Sequence, residues 1–236
     1  MRLVCDCHIH TVSSGHAYST IGECAKAASE KGIELIAMTD HAPTMPGGTH
    51  IFHFQNMHVL PETLYGVRLL KGAEVNILDF DGLLDMDDRT MGELDLVIAS
   101  LHVPCFQAGS PAENTRAAIG AMQSPHVDIL GHPDDSRIPL DYDELARAAA
   151  ATGTLLELNN SSLSPRTYRQ NAQENCMRLI EAALRHSARL IVDSDAHFHA
   201  DVGNFSNVLP LLSGQSVPES VVANVSAARL LSWRKK

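Results

Sequence analysis

The sequence has few aromatic residues and no sign of a disulfide framework. Six Phe, four Tyr and one Trp are its only large aromatics, and its five cysteines are an odd number spread along the chain. No apolar run approaches the roughly 18 residues of a membrane-spanning helix. The N-terminus also lacks the basic start, apolar core and cleavage site of a signal peptide. These absences predict a globular protein in the cytoplasm, without a membrane span.

Basic residues are scarce as well, with 18 Lys and Arg against 28 Asp and Glu, which gives a net charge of −10. Nucleic acids are bound mainly through many basic contacts to phosphates, so an extended nucleic-acid surface is not expected. A small phosphorylated ligand is still compatible with this charge, because bound metal ions can reverse the local field. Histidine, in contrast, is unusually abundant, with 13 residues.

Seven short apolar runs rich in β-branched residues are typical of buried strands, and helix-like segments separate most of them. The predicted strands are residues 3–7, 33–38, 67–72, 96–100, 127–131, 154–158 and 189–193. The predicted helices are residues 19–31, 112–122, 142–151 and 171–186, with one or two closing helices in 219–232. This alternation indicates a parallel sheet with helices outside. Because no change in composition interrupts it, we expect a single domain over residues 1–236, closed or nearly closed into a barrel.

Two segments do not fit this alternation. Residues 44–58 are rich in Gly, His and Phe and predict a loop over one end of the barrel. Residues 76–85 contain Asp81-Gly82 between apolar runs, which predicts an inserted hairpin.

The N-terminal stretch CDCHIH interleaves cysteine and histidine. In a regular strand, successive side chains alternate between faces, so His8 and His10 would share one face while Cys5 and Cys7 share the other. We therefore expect the histidines to face the barrel mouth. The cysteines are expected to pack against the outer helices as small apolar residues rather than as metal ligands.

Histidine or a carboxylate follows six of the seven predicted strands, which is where parallel barrels carry their chemistry. Together with His16 in the following loop, the candidate ligands are His8, His10, His16, His41, Glu74, His102, His132, Asp195 and His197. Histidines that only pack have no reason to recur at equivalent strand ends. The pattern therefore predicts a metal centre.

The residue types indicate which metals fit. Imidazole and carboxylate ligands suit zinc, manganese or iron. Nine candidates exceed the needs of one ion and suffice for two or three if a carboxylate bridges. Asp6 and Asp40 are expected to hydrogen-bond to imidazoles and fix their tautomers.

These motifs resemble the PHP (polymerase and histidinol phosphatase) superfamily, and most of all its compact YcdX-type phosphatases. The matching segments, in chain order, are His8-Ile9-His10-Thr11, Thr39-Asp40-His41, Gly72-Ala73-Glu74, Ser100-Leu101-His102, Gly131-His132-Pro133 and Ser194-Asp195-Ala196-His197. The resemblance implies an α/β fold, a distorted TIM-like (β/α)7 barrel, with its metal site at the carboxyl ends of the strands.

The resemblance also implies three divalent metal ions, zinc before manganese or iron, with Glu74, Asp195 and His197 as catalytic residues. The first ion would be bound by His8, His10, Glu74 and Asp195. The second would share Glu74 with His102 and His132, and the third would be bound by His16, His41 and His197.

The function expected first is a phosphatase that hydrolyses a small phosphomonoester through metal-bound hydroxide. Candidate substrate contacts are Arg137, Arg166, Asn159 and Asn160, since guanidinium binds phosphate bidentately. A phosphodiesterase or exonuclease acting on nucleotides or nucleic-acid ends is the alternative enzyme. A metal-storage or regulatory module is the non-enzymatic alternative, and a homo-oligomer is compatible with the sequence.

Overall fold

A parallel sheet curved into a barrel forms the centre of the molecule. The computed structural model describes residues 1–235, and within them the strands are β1 (Cys5–Asp6), β2 (Leu35–Met38), β3 (Thr63–Leu64), β4 (Val67–Asn76), β5 (Leu96–Ser100), β6 (Ile129–Gly131), β7 (Leu155–Asn159) and β8 (Leu190–Asp193). Seven of them pair in parallel in the order β1-β2-β4-β5-β6-β7-β8, and β3 is antiparallel to β4. The predicted α/β barrel is confirmed.

Helices follow most of the strands. They are α1 (Ile21–Glu30), α2 (Ile51–Gln55), α3 (Asp88–Glu93), α4 (Pro111–Met122), α5 (Tyr142–Thr152), α6 (Ala172–His186), α7 (Val208–Gly214) and α8 (Ala227–Trp233). Local sequence explains where two of them begin: capping boxes pair Thr20 with Glu23 and Ser110 with Glu113.

The barrel is nearly closed by contacts between the first and last strands. Beyond the strand ends, Ile9 forms an isolated parallel bridge with Ala196. The N–H of Cys7 donates to Asp193 Oδ1 at 2.6 Å, so a side chain replaces a ladder hydrogen bond. Asn224 lies at the same seam, where its side chain donates to the carbonyl of Cys5 at 3.0 Å. The C-terminal segment thereby fills the gap that the two strands leave.

The two cysteines of the N-terminal stretch face the inside of the barrel. They pack with one or two alternate residues from each strand and with the C-terminal segment: Leu35, Ala37, Leu70, Leu96, Ile98, Ile129, Leu155, Ile191, Ala223 and Leu230. The prediction that Cys5 and Cys7 pack against the outer helices is therefore wrong. The prediction assumed a regular strand from Cys5 to His10, but β1 ends at Asp6. Ile9 packs in a different hydrophobic cluster from the two cysteines, the one that includes the helices.

Both irregular segments differ from their predictions in detail. Residues 44–58 hold α2, capped by the His50 side chain, and the 3₁₀ turn Met57–Val59. Residues 76–85 form a tight turn with one antiparallel bridge, Ile77 to Leu84, rather than a hairpin of two strands. Within the described residues, no helix is both long and apolar enough to cross a membrane.

Candidate metal centre

The nine predicted ligands converge at the carboxyl ends of the strands. Their rings lie close together: the His10 centroid is 4.2 Å from that of His41 and 4.3 Å from that of His197. The His102 and His132 rings are 5.0 Å apart. The parallel strands thus bring together side chains that are up to 189 positions apart in the sequence, from His8 to His197.

Glu74 lies at the centre of this cluster and is fully buried. Its Oε1 atom is 2.8 Å from His132 Nε2, 3.1 Å from His102 Nε2 and 3.3 Å from His8 Nε2. Its Oε2 atom is 2.6 Å from His41 Nδ1. Each carboxylate oxygen therefore faces its own set of imidazole nitrogens, which is the arrangement of a bridging ligand.

Asp195 lies at the opposite wall with a positive φ of 53°. Its Oδ1 atom is 3.2 Å from His10 Nε2. Its Oδ2 atom accepts hydrogen bonds from Arg169 Nη2 and Asn159 Nδ2, each at 3.1 Å. One oxygen is thus fixed by the protein, and the other faces the imidazoles.

Two imidazoles are oriented by hydrogen bonds to their outer nitrogens. His8 Nδ1 lies 2.7 Å from Glu157 Oε1, and His102 Nδ1 lies 2.7 Å from Asn76 Oδ1. Because these acceptors face Nδ1, Nε2 is the nitrogen of each ring that faces the cluster and is placed to bind a metal ion.

Several buried atoms of the cluster have no hydrogen-bond partner among the described residues: His8 Nε2, His10 Nδ1, His10 Nε2, His41 Nδ1 and Glu74 Oε2. Leaving such atoms unsatisfied is costly. His41 Nδ1 and Glu74 Oε2 approach to 2.6 Å without hydrogen-bond geometry, so this contact satisfies neither atom. The arrangement therefore fits bound metal ions.

Four sets of three residues could each hold a metal ion, because the three ligand atoms within each set lie within 4.8 Å of one another. They are His10-His41-His197, His8-His132-Asp195, His8-His10-Glu74 and His41-Glu74-His102. His16 joins through its Nε2 atom, 3.2 Å from His41 Nε2. This overlap is what a cluster of more than one ion requires.

The protonation states of His10, His16 and Glu74 suit metal binding. Burial alone would lower the pKa of His8, but Glu157, Glu74 and Asp195 hold it well above its usual value, so His8 would release a proton on binding a metal. Burial, together with the neighbouring His41 and His197, lowers the pKa of His10 well below its usual value and that of His16 to about 4. Burial alone would raise the pKa of Glu74, but the surrounding imidazoles hold it well below its usual value. Neutral imidazoles and an ionised carboxylate are the forms that bind divalent metals.

Among the described residues, neither Asp6 nor Asp40 hydrogen-bonds to the imidazole of a predicted ligand. Asp6 accepts hydrogen bonds from the Ser194 N–H and hydroxyl and from the Gly203 N–H, because its side chain points into the seam between β1 and β8. Asp40 accepts the Thr11 N–H and the Ser14 hydroxyl, each at 2.7 Å. Asp40 thus holds the loop that leads to His16, while Glu157 and Asn76 take the role predicted for the two aspartates.

A cavity of about 560 Å³ opens over the cluster. Three arginines line it. Arg166 is exposed, and Arg137 is ion-paired with Asp135 and lies 5.1 Å from the Tyr168 ring centroid. Arg169, which sequence reasoning missed, has a side chain that is 10% exposed beside Asp195 and keeps further N–H donors toward the cavity. Of the three, Arg169 lies nearest the cluster.

The two asparagines predicted to contact substrate have structural partners instead. Asn159 donates to Asp195 and accepts the Ser162 N–H. Asn160 Oδ1 accepts the Asn207 N–H at 2.8 Å. Neither lines the cavity, because both side chains point into the packed ends of β7 and α7.

Glu157 could have been found from the sequence. It is the only charged residue in the apolar run LLELN, at a position that alternation places on the same face as Leu155 and Asn159. A lone carboxylate on the inner face of a predicted barrel strand is costly unless it is paired. Arg169 carried no such signal, since it lies in a loop.

Comparison with known proteins agrees with this architecture. The PHP domain model matches residues 6–163, more than half of the chain. A protein of Thermoanaerobacter sp. (strain X514), named "probable phosphatase", is 44% identical over 237 residues, covering 100% of this chain and 96% of that protein.

Two solved structures share the fold. Histidinol phosphate phosphatase from Lactococcus lactis subsp. lactis Il1403, complexed with zinc, L-histidinol and phosphate, aligns with a TM-score of 0.58 at 15% identity, covering 94% of both chains. A chain of archaeal ribonuclease P with mature tRNA aligns with a TM-score of 0.53 at 13% identity, covering 97% of this chain and 87% of that one. The matched domain and the full-length relative show that this chain belongs to the PHP family.

Proposed function

We propose that the protein is a metal-dependent phosphatase that hydrolyses a small phosphomonoester. The observation that carries the proposal is the set of buried, unpartnered imidazole and carboxylate atoms in a cluster whose outer ligands, with three arginines, line a cavity. Full-length relatives named "probable phosphatase", and a structural neighbour that holds zinc and phosphate, support the same chemistry.

The proposed cofactor is three divalent ions, zinc before manganese or iron. His8, His10, Glu74 and Asp195 would hold the first. Glu74, His102 and His132 would hold the second, and His16, His41 and His197 the third. When bound, such ions polarise phosphoryl oxygens and make a water nucleophile available near neutral pH.

The chain's own residues divide the remaining work. Glu74 keeps two ligand sets at a fixed separation through its two oxygens. Arg169 holds Asp195 and offers its remaining N–H groups to a phosphate oxygen, while Arg166 adds positive charge at the rim. Apolar residues of the cavity wall, among them Met45, Leu101 and Val103, restrict the access of water to the organic part of the ester.

A phosphodiesterase or exonuclease is the second candidate, since the barrel is shared with a chain of ribonuclease P. The net charge of −10 disfavours it, because a long strand needs many basic contacts. Metal storage alone is disfavoured by the arginine-lined cavity beside the cluster. We also propose a single domain and a cytoplasmic location, which agree with the continuous sheet and the absence of a spanning helix from residues 1–235.

A substrate panel tests the assignment. Protein loaded with zinc or manganese is incubated with nitrophenyl phosphate, bis-nitrophenyl phosphate and a 5′-labelled oligonucleotide, and product formation is followed for each. We expect hydrolysis of the monoester, with the diester and the oligonucleotide cleaved slowly or not at all. Efficient shortening of the oligonucleotide with the monoester spared would replace the phosphatase by a nuclease. Metal binding without any turnover would favour storage.

A further inference from the structure

Glu157 is a buried carboxylate that no predicted metal site uses. It lies in the middle of β7, fully buried, with its side chain directed into the barrel below the cluster. A buried carboxylate at such a position requires specific partners.

Both oxygens of Glu157 contact ligand-bearing residues. Oε1 accepts the Nδ1 proton of His8 at 2.7 Å. Oε2 accepts the backbone N–H of His132 at 2.6 Å and the Asn159 amide at 3.2 Å. The Asn159 amide also donates to Asp195 Oδ2, so three ligands from three different strand ends depend on this one side chain.

The contact with His132 constrains an unfavourable backbone conformation. His132 has a φ of 26°, in the left-handed region that a non-glycine residue rarely adopts. The hydrogen bond from its N–H to Glu157 Oε2 holds this conformation, which directs the His132 ring to Glu74. Without that acceptor, the His132 backbone could relax and its Nε2 atom would leave the cluster.

The other side of the cluster is held differently. His16 and His41 are positioned by the loop around Asp40, in which the Ser14 hydroxyl donates to Asp40 and accepts the His41 N–H at 3.1 Å. Glu157 has no hydrogen bond to this side in the described residues. The two halves of the cluster thus have separate supports.

We propose that Glu157 is a positioning residue that sets His8, His132 and Asp195 in place for the first and second ions of the proposed function, on which this inference rests. The third ion position, formed by His16, His41 and His197, does not depend on it. Glu157 contacts neither the cavity nor a substrate and acts only through these ligands.

Glu157→Gln replaces one of the two acceptor oxygens of the side chain with an NH₂ donor. An amide has one acceptor oxygen and one NH₂ donor, so it can accept from His8 or from His132 but not from both. A donor would then face a donor at the other contact. Loss of such an orienting partner lowers metal affinity by about 10- to 100-fold. Glu157→Asp keeps the carboxylate but is shorter by one methylene group, and we expect it to lose less affinity.

Asp128→Asn is the matched control. Asp128 is a buried carboxylate next to β6, where it accepts the backbone N–H groups of Val97 at 3.1 Å and Lys235 at 2.8 Å. It lies at the start of the strand, the opposite end of the barrel from the cluster. Its substitution removes a comparable structural carboxylate without touching a predicted ligand.

Zinc affinity of the whole protein is measured by competition with a chromophoric chelator, and zinc content by elemental analysis after dialysis. We expect Glu157→Gln to lose two of three ions at a zinc activity that saturates the wild type, with Asp128→Asn unchanged and Glu157→Asp between. Wild-type affinity in both Glu157 variants, or equal loss in Asp128→Asn, overturns the positioning role. If Glu157→Gln does not fold, the affinity of Glu157→Asp decides. Because the readout is metal binding, a wild type that binds zinc but has no phosphatase activity overturns the proposed function and leaves this inference standing.

Discussion

At the scale of single residues, Glu74 is the side chain on which the cluster depends most. Its two oxygens face five imidazoles, those of His8, His10, His41, His102 and His132. His16, by contrast, contributes one ring at the edge of the cluster, 3.2 Å from His41 Nε2. A substitution at the centre should therefore disturb more than one ion.

We predict that Glu74→Gln loses more bound metal than His16→Ala and loses activity as well. The amide keeps the shape of the side chain but removes its charge and one of its acceptor oxygens. Elemental analysis of both variants after identical loading and dialysis measures the difference. Equal metal loss in the two variants would contradict a bridging role for Glu74.

Asp134 gives a prediction about pH. Burial raises its pKa from an ordinary 3.8 to about 6, and its carboxylate accepts from the Cys176 thiol at 3.6 Å. Because the folded pKa is the higher one, the folded state is penalised as pH rises from about 4 through 6. Between pH 4.5 and 7.5 this penalty grows by about 2 kcal/mol, taking 1.4 kcal/mol for each unit of pKa difference.

Asp134→Asn removes this titration. We expect the metal-free variant, relative to metal-free wild type, to be more stable at pH 7.5 than at pH 4.5, with a larger free energy required to unfold it. Urea denaturation of both proteins at the two pH values measures it. A difference between the proteins that does not change with pH would show that Asp134 is not protonated in the fold.

At the scale of elements, the turn between β4 and α3 packs against α4 through glycine. Gly82 has a φ of +85°, and an added Cβ would lie 2.4 Å from the Ala121 nitrogen and 2.5 Å from the Gly120 carbonyl carbon. Gly66 has a similar φ of +78° but nothing within 4 Å of such a Cβ. Comparing substitutions at the two positions therefore distinguishes the effect of backbone strain, which both share, from that of close packing, which only Gly82 has.

We predict that Gly82→Ala destabilises the protein more than Gly66→Ala. Both substitutions incur about 1–2 kcal/mol for the left-handed conformation. Only Gly82→Ala adds overpacking against the α4 backbone, typically 1–3 kcal/mol. Chemical denaturation of the two variants measures the difference. If they are equally stable, the turn does not dock on α4 as tightly as this geometry requires.

Elements with a strong periodic signal could be predicted from the sequence, and β5 has the predicted bounds of residues 96–100. Predictions failed where tertiary contacts replace local pattern. β1 is two residues long because Asp193 and Asn224 take over its hydrogen bonds, so alternation could not place Cys5 and Cys7. The short helices α2, α3 and α7 were missed because five to seven residues carry too little periodicity.

The candidate site was also predicted where local sequence decides and missed where tertiary contacts decide. Strand ends predicted which residues converge, because parallel strands of a barrel all deliver their carboxyl ends to one face. Glu157 could be singled out within its strand, but its contacts, like those of Asn76 and Arg169, could not be predicted, since they depend on which strands become neighbours and on where a loop folds back. Asn159 and Asn160 illustrate this, since their amides bond within the protein rather than facing the cavity.

At the scale of the whole molecule, an acidic chain encloses a site suited to anions. The net charge is −10, yet the cavity brings arginine side chains next to a cluster that would carry several divalent ions. The remaining surface offers little attraction to long polyanions, whereas a compact phosphate ester would need only the cluster and Arg169. Charge distribution thus favours small substrates over nucleic acid.

The most direct test of the account is the dependence of monoester hydrolysis on bound metal. Purified protein is depleted with a chelator, dialysed, and then titrated with zinc or manganese while nitrophenyl phosphate hydrolysis and metal content are followed together. We predict that depletion abolishes hydrolysis and that activity returns in step with the ions bound by the cluster. Undiminished hydrolysis by metal-free protein would contradict the account, as would a fully metal-loaded protein that releases no phosphate.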